Sequence, residues 1–148
     1  MSSALHYAVN LLARREYSEA EIRYKMQQKG FSQEDIEQVI QYCQQKNWQS
    51  DLRFCESYVR SRLQRGYGKL RIKQELKHLK GVNNETLTMV FENMEIDWFE
   101  QAFTTLEKKF PDFAQVKDLK TKQKIWRYMI SHGFSPEEFS DYIGQSND

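Results

Sequence analysis

The sequence predicts an all-α fold of three tandem three-helix repeats, elongated and curved, and three observations carry that prediction. A glycine-centred triplet recurs as Gly30-Phe31-Ser32, Gly81-Val82-Asn83 and Gly133-Phe134-Ser135, at spacings of 51 and 52 residues, which is the mark of a repeat architecture. The residues after each glycine carry one apolar template: Ile36, Val39, Ile40 and Cys43, then Leu87, Val90, Phe91 and Met94, then Phe139, Tyr142 and Ile143. Each set is an i, i+3, i+4 stripe, the spacing that one helix face produces. Finally, only 6 Gly and 2 Pro occur among 148 residues, while Gln, Glu, Lys and Leu are abundant. Straight side chains lose little rotamer freedom in a helix, and the main helix breakers are scarce.

Taken in chain order, Leu5, Ala8, Val9 and Leu12 mark a first helix, Ile22 and Met26 a second, and the Ile36 stripe a third. The second repeat reads Cys55, Tyr58, Val59 and Arg62, then Ile72 and Leu76, then the Leu87 stripe. The third reads Phe99, Ala102, Phe103 and Leu106, then Ile125 and Met129, then the Phe139 stripe. Each glycine suits the left-handed end of a middle helix, and the Ser or Asn two positions later suits the cap of the next. Ser135-Pro136-Glu137-Glu138 is the plainest example, with a cap, Pro at the first helical position and an acid at the third. Polar junctions at Asn47–Ser50 and Glu95–Ile96 divide the chain into repeats at 1–49, 50–95 and 96–148. Neither junction is rich in Gly, Ser or Pro, so the repeats are expected in defined relative positions rather than on flexible linkers.

Hydrophobic residues make up 39% of the chain, but 9 Phe, 8 Tyr and 3 Trp can build compact cores from few positions. No stretch approaches the roughly 20 apolar residues of a membrane span, and the first residues lack the basic leader of a secretory signal. Cys43 and Cys55 are too few for a disulfide framework and fall on apolar helical positions, where a reduced thiol acts as a small hydrophobe. A cytoplasmic monomer without membrane contact is expected. The net charge of +1 hides a polarised distribution: residues 51 to 81 hold nine Lys or Arg against three Asp or Glu, a local charge of +6, leaving −5 for the rest. Such a basic middle suggests an anionic partner, nucleic acid or an acidic protein groove.

Motifs for catalysis do not emerge. His6, His78 and His132 lie one per repeat with no Cys-x-x-Cys or His-x-x-x-His spacing beside them, so neither metal ligands nor a cofactor is expected. Gly66-Tyr67-Gly68-Lys69 lacks the glycine spacing of a phosphate loop and the Ser or Thr after Lys; it reads as a corner between two helices. Glu21 and Glu75 read as helix-surface charges. No Ser, Cys or Thr sits in a nucleophile motif, and a binding protein rather than an enzyme is expected.

The basic middle of repeat two is the candidate site. Arg62 stands in register with Leu12 and Leu106, where the other repeats place core-facing side chains, and arginine is rarely buried without a partner. Either the helix phase slips so that Leu63 takes the core position, or repeat two keeps a partly open face. On such a face Arg60, Arg62, Arg65, Lys69, Arg71, Lys73 and Lys77 would meet phosphates or carboxylates, for which Arg offers bidentate contact. Tyr67 either stacks on a base or partner group or packs against the adjoining helix. Phe54, Tyr58, Trp48, Trp98 and Trp126 are assigned to core and repeat junctions.

The run Asp51-Leu52-Arg53-Phe54, Tyr58-Val59, Arg62, Gly66-Tyr67-Gly68, Arg71-Ile72, Glu75-Leu76 and Gly81-Val82 resembles the central signature of the RecX family. Ser18, Glu21-Ile22, Lys25-Met26 and Gly30 resemble its first-repeat pattern, and Ile96-Asp97-Trp98 its entry into the third. The resemblance spans roughly residues 4 to 143. Lys69, where a proline commonly follows Gly-Tyr-Gly, and Asn83, where serine is more usual, depart from the pattern. The resemblance implies helix-turn-helix-like repeats and a regulator that lies in the groove of the RecA nucleoprotein filament. It would suppress filament growth, ATP hydrolysis, strand exchange and co-protease action. Direct contact with single- or double-stranded DNA is left open. The alternative is a nucleic-acid-binding module that acts through its repeats without a recombinase.

Overall fold

The computed structural model describes residues 2–143, and among them every regular element is helical. Repeat one comprises α1 (Ser3–Arg14), α2 (Glu19–Gln28) and α3 (Gln33–Gln45). Repeat two comprises α4 (Asp51–Gln64), α5 (Lys69–Gln74) continued by a π-helical turn (Glu75–Leu79), and α6 (Asn84–Met94). Repeat three comprises α7 (Trp98–Lys109), a 3-10 turn (Phe113–Gln115), α8 (Leu119–Ser131) and α9 (Pro136–Ile143). The architecture is thus three tandem three-helix repeats.

Local chemistry fixes the ends of these helices. Ser2, Ser18, Ser32, Asn83, Asp97 and Asp118 each accept a backbone N–H three residues on, satisfying one of the donors a helix start leaves free. At Ser18 the box is closed by Glu21, which accepts the Ser18 N–H at 3.0 Å. The three repeat glycines all sit at helix C-termini with positive φ: 90° at Gly30, 68° at Gly81 and 97° at Gly133. After α2 the Phe31 N–H reaches back to the Met26 carbonyl and Gly30 to Gln27; after α8 Phe134 reaches Met129 and Gly133 reaches Ile130. These are six-to-one and five-to-two closures around a left-handed glycine.

Repeat two differs by one residue. Met26 and Met129 precede their glycines by four positions, whereas Leu76 precedes Gly81 by five. The extra residue is absorbed as the π turn, in which Lys80 N–H bonds to Glu75 and Val82 N–H to Leu76. A wide turn of this kind adds one residue without changing which face is buried.

Two compact units emerge. One contains the described residues up to Tyr58 together with Glu75–Met94; the other contains Val59–Gln74 together with the described residues from Glu95 on. The middle repeat is therefore divided between them. The first unit holds a core of Ala4, Ala8, Leu11, Tyr17, Ile22, Met26, Ile36, Val39, Ile40 and Cys43; the second holds Ala102, Leu106, Ile125, Met129, Phe134, Phe139 and Ile143. Each fully buried aliphatic or aromatic side chain contributes about 1.5–3 kcal/mol relative to exposure.

One junction pattern occurs in each unit. In the first, the Ser18 hydroxyl at the start of α2 donates to the Lys80 carbonyl at 2.9 Å, and a methyl on Gly81 would stand 2.6 Å from the Ala20 Cβ. In the second, at the start of α5, the Gly68 N–H donates to the His132 carbonyl at 2.6 Å and Leu70 N–H to Gly133 at 3.1 Å. A Cβ on Gly68 would fall 2.5 Å from the Gly133 carbonyl group. In both, the start of one repeat's middle helix meets the glycine corner that ends the next repeat's middle helix.

Several expectations shift at the surface. In α1 the buried line is Ala4, Ala8 and Leu11, with Leu5 and Leu12 only partly buried against the core, one position round from the expected face. Trp48, Phe99 and Tyr142 are exposed by 41%, 55% and 40%, so they are not core residues. Phe54 and Tyr58 are buried, and Trp126 packs against the second core.

Candidate functional site

Helix α4 carries Phe54, Cys55, Tyr58 and Val59 on its buried side, which leaves Arg60 and Arg65 exposed near its C-terminus. Arg62 and Leu63 are both half-buried, so neither takes a full core position. The helix ends at Gly66, with φ of 80°, as the Tyr67 N–H bonds to the Arg62 carbonyl and Gly66 to Leu63. The Gly-Tyr-Gly-Lys segment is therefore a helix-to-helix corner. Lys69 and Arg71 in α5 are half-buried and Lys73 is exposed; Lys77 is also exposed but belongs to the other compact unit.

Arg71 is a structural residue as well as a basic one. Its guanidinium lies 3.9 Å from the Tyr67 ring centroid, donates to the Tyr67 hydroxyl at 3.2 Å, and donates to the Ser131 carbonyl at 3.3 Å. It thus occupies the electronegative end of α8, a favourable place for a cation. Tyr67 is half-buried, its ring 5.5 Å from the His132 ring, so packing against the neighbouring helix describes it best.

Helix α7 clasps this corner from another side. The Gln101 side-chain amide donates to the Leu63 carbonyl at 2.9 Å and the Tyr67 carbonyl at 3.2 Å, and the buried Thr105 hydroxyl donates to Gly66 at 3.3 Å. These bonds give the Gly66 and Tyr67 carbonyls a side-chain donor and the Leu63 carbonyl a second donor beside the Gly66 N–H. The result is a cleft of about 710 Å³ whose lining includes Arg65, Tyr67, Gln101, Lys108, Lys109, Tyr128 and His132, and no carboxylate. His132 stacks on Tyr128 with ring centroids 3.9 Å apart. Burial foremost, and then the charges of Arg71 and Lys109, hold the His132 imidazole below the ordinary histidine range, against the opposing Tyr128 carbonyl at Nδ1.

The third-repeat residues of this cleft were not singled out by sequence. Lys108 and Lys109 carry no motif, since cations in the last turn of a helix are ordinary, and His132 reads as an isolated histidine. Its place just before the repeated glycine is the one signal that could have marked it.

Other titratable groups have structural partners. Glu21 and Glu75, expected as plain surface charges, are both partly buried. Glu21 pairs with Lys80 at 3.0 Å and Arg15 at 3.3 Å, and Glu75 accepts the Tyr58 hydroxyl at 2.7 Å. Burial pushes both thiols up, Cys55 to about 12 with added effect from Asp51 and Glu56, which leaves little reactive thiolate. Among the described residues there is no group of three or more His, Cys, Asp or Glu side chains placed to hold a metal, and no helix long and apolar enough to cross a membrane.

Fold and site define a class: a tandem three-helix-repeat protein with a cationic and aromatic surface around the glycine corner of its middle repeat. The chain belongs to the RecX family, whose first, second and third three-helix domains match residues 4–43, 50–89 and 95–143. It is 55% identical over 145 residues to "Regulatory protein RecX" of Pasteurella multocida (strain Pm70), covering 98% of this chain and 88% of the relative. With the protein of the same name from Mannheimia succiniciproducens it shares 58% identity over 145 residues, covering 98% and 95%. The fold is similar to the crystal structure of RecX from Lactobacillus salivarius, with a TM-score of 0.80 at 20% identity over 97% of this chain and 94% of that one. A second crystal structure, of regulatory protein RecX, gives a TM-score of 0.78 at 18% identity over 96% and 72% of the two chains.

Proposed function

We propose that this chain is a non-catalytic regulator of the RecA recombinase, acting in the cytoplasm as a monomer. It binds the RecA nucleoprotein filament and inhibits its growth, ATP hydrolysis, strand exchange and co-protease action, and so modulates recombination and DNA repair. The observation that carries this reading is the nearly full-length identity to relatives named as RecX regulatory proteins. Support also comes from Arg60, Arg65 and Lys73, exposed on the middle repeat, where they suit an acidic or phosphate-bearing partner. The repeat boundaries at 49/50 and 95/96 belong to the same reading, and each junction contains a left-handed residue, Asn47 at φ 59° and Glu95 at φ 47°.

Titration into DNA-dependent ATP hydrolysis by RecA tests the proposal. Inhibition is expected at amounts well below those of the recombinase. Inhibition only when the DNA is saturated would favour a DNA-binding module without a recombinase partner, and no inhibition would overturn both.

A further inference from the structure

We propose that the cleft at the Gly66–Tyr67 corner is a nucleotide site, taking a phosphate beside Arg65, Lys108 and Lys109 and a base beside Tyr67, Tyr128 and His132. It goes beyond filament regulation and does not depend on it.

Three features of the cleft point to this ligand. Its lining gathers three cations from two helix ends, α4 and α7, with no carboxylate among them. Like charges brought around one cavity favour an anion there, and the cations lie at the end of α7 and the end of α4 rather than along one solvated stripe. Second, the carbonyls that would repel an anion are already engaged: Leu63 and Tyr67 accept from Gln101, Gly66 from Thr105, His132 from Gly68 and Gly133 from Leu70.

The third feature separates a nucleotide from an acidic peptide. An aspartate or glutamate needs cations only, but this cleft is also lined by Tyr67, whose ring has the Arg71 guanidinium over one face, and by the stacked Tyr128–His132 pair. Aromatic faces beside a cationic groove are the usual platform for bases of single strands. A volume of about 710 Å³ falls in the range of small-ligand pockets, about 300–1,000 Å³. Gln101 and Thr104 add polar edges of the kind that orient a base or sugar.

The ligand could be one nucleotide of a single strand or a free nucleotide, and binding without any recombinase distinguishes these. The intact chain is titrated with a fluorescent thymidine dodecanucleotide, with thymidine monophosphate and with an oligo-glutamate peptide, while NMR follows the His132 and Tyr128 ring signals. Dodecanucleotide binding with shifts of both rings is expected. The double variant Lys108→Glu/Lys109→Glu, exposed at both positions, should keep its helical circular dichroism and lose at least tenfold in affinity. Its log-affinity slope against log salt should fall by roughly 1.4, about 0.7 for each lost phosphate contact on a single strand. Monophosphate binding as tight as that of the dodecanucleotide would assign the site to free nucleotide and uphold the proposal. Oligo-glutamate binding in place of nucleotide, no nucleotide binding, or dodecanucleotide binding unchanged in the folded double variant would each overturn it.

Discussion

Gly68 and Gly133 face each other so closely that neither can carry a side chain: a Cβ on Gly68 would lie 2.5 Å from the Gly133 carbonyl, and one on Gly133 would lie 2.6 Å from the Arg71 backbone nitrogen. Gly30 differs in kind, since a Cβ there meets nothing within 4 Å and only its φ of 90° resists substitution. Gly30→Ala should therefore cost about 1–2 kcal/mol for the left-handed backbone, while Gly133→Ala adds about 1–3 kcal/mol of overpacking. Urea unfolding of the two variants measures the difference; equal midpoints would show that the α5–α8 contact is looser than described.

Glu21 predicts an acid limit on stability. Burial opposes its ionisation most strongly, but the Ser18 N–H, Lys80 and Arg15 together outweigh it and hold the carboxyl below its ordinary 4.5. A carboxylate with a lowered folded pKa binds fewer protons folded than unfolded, so its contribution is complete above 4.5 and is lost as pH falls through the folded value. Glu21→Gln should be less stable at neutral pH by roughly 1–2 kcal/mol, seen as a lower melting temperature, and lose stability less steeply in acid. Parallel melting curves from pH 7 to pH 3 would contradict this.

Arg71 and Arg60 should separate folding from partner binding. Arg71→Glu breaks the contacts with Tyr67 and the Ser131 carbonyl and sets a carboxylate at the negative end of α8, a loss of roughly 1–3 kcal/mol. Exposed Arg60→Glu should stay within about 0.5 kcal/mol of the parent. Combined with Arg65→Glu, it should nevertheless weaken the proposed inhibition of RecA ATP hydrolysis, and full inhibition by that folded double variant would remove Arg60 and Arg65 from the surface that acts on the recombinase.

The π turn predicts tolerance of a deletion. Removing the exposed His78 restores the four-residue spacing seen before Gly30 and Gly133, and the unfolding free energy measured in urea should change by no more than about 1 kcal/mol, since a π-bulge holds no extra core residue. Removing Gln41 instead shifts Cys43 off the buried face of α3 and should cost several kcal/mol. Collapse of the His78 deletion would show that the turn itself is required.

Much of the fold was legible because its signals are local. The Ile36, Val39, Ile40, Cys43 stripe is buried throughout, and the three glycines end their helices as the triplets imply. Legibility failed where a residue's surroundings come from distant chain. Phe99 has the right spacing but faces outward, and Arg62 shares the half-buried surface with Leu63, because neighbouring helices set the burial arc. Of the candidate basic residues, Arg60, Arg65, Lys73 and Lys77 are exposed, while Arg71 is half-buried and tied to α8. The cleft's Lys108, Lys109, Tyr128 and His132 lie at least 43 positions after Arg65 in sequence, and no periodicity brings them to it.

The division of the middle repeat sets an order for folding during synthesis. Ser18 must wait 62 residues for the Lys80 carbonyl that completes the start of α2, a loop far longer than any helix needs to form on its own. Once Met94 has left the ribosome, the first unit has all its parts. The Val59–Gln74 segment does not: the Gly68 and Leu70 N–H groups lack their acceptors, the His132 and Gly133 carbonyls, until Gly133 emerges. Through the translation of some forty further residues, the nascent chain therefore carries its most basic segment tethered to a finished body, without the α8 corner that will hold it.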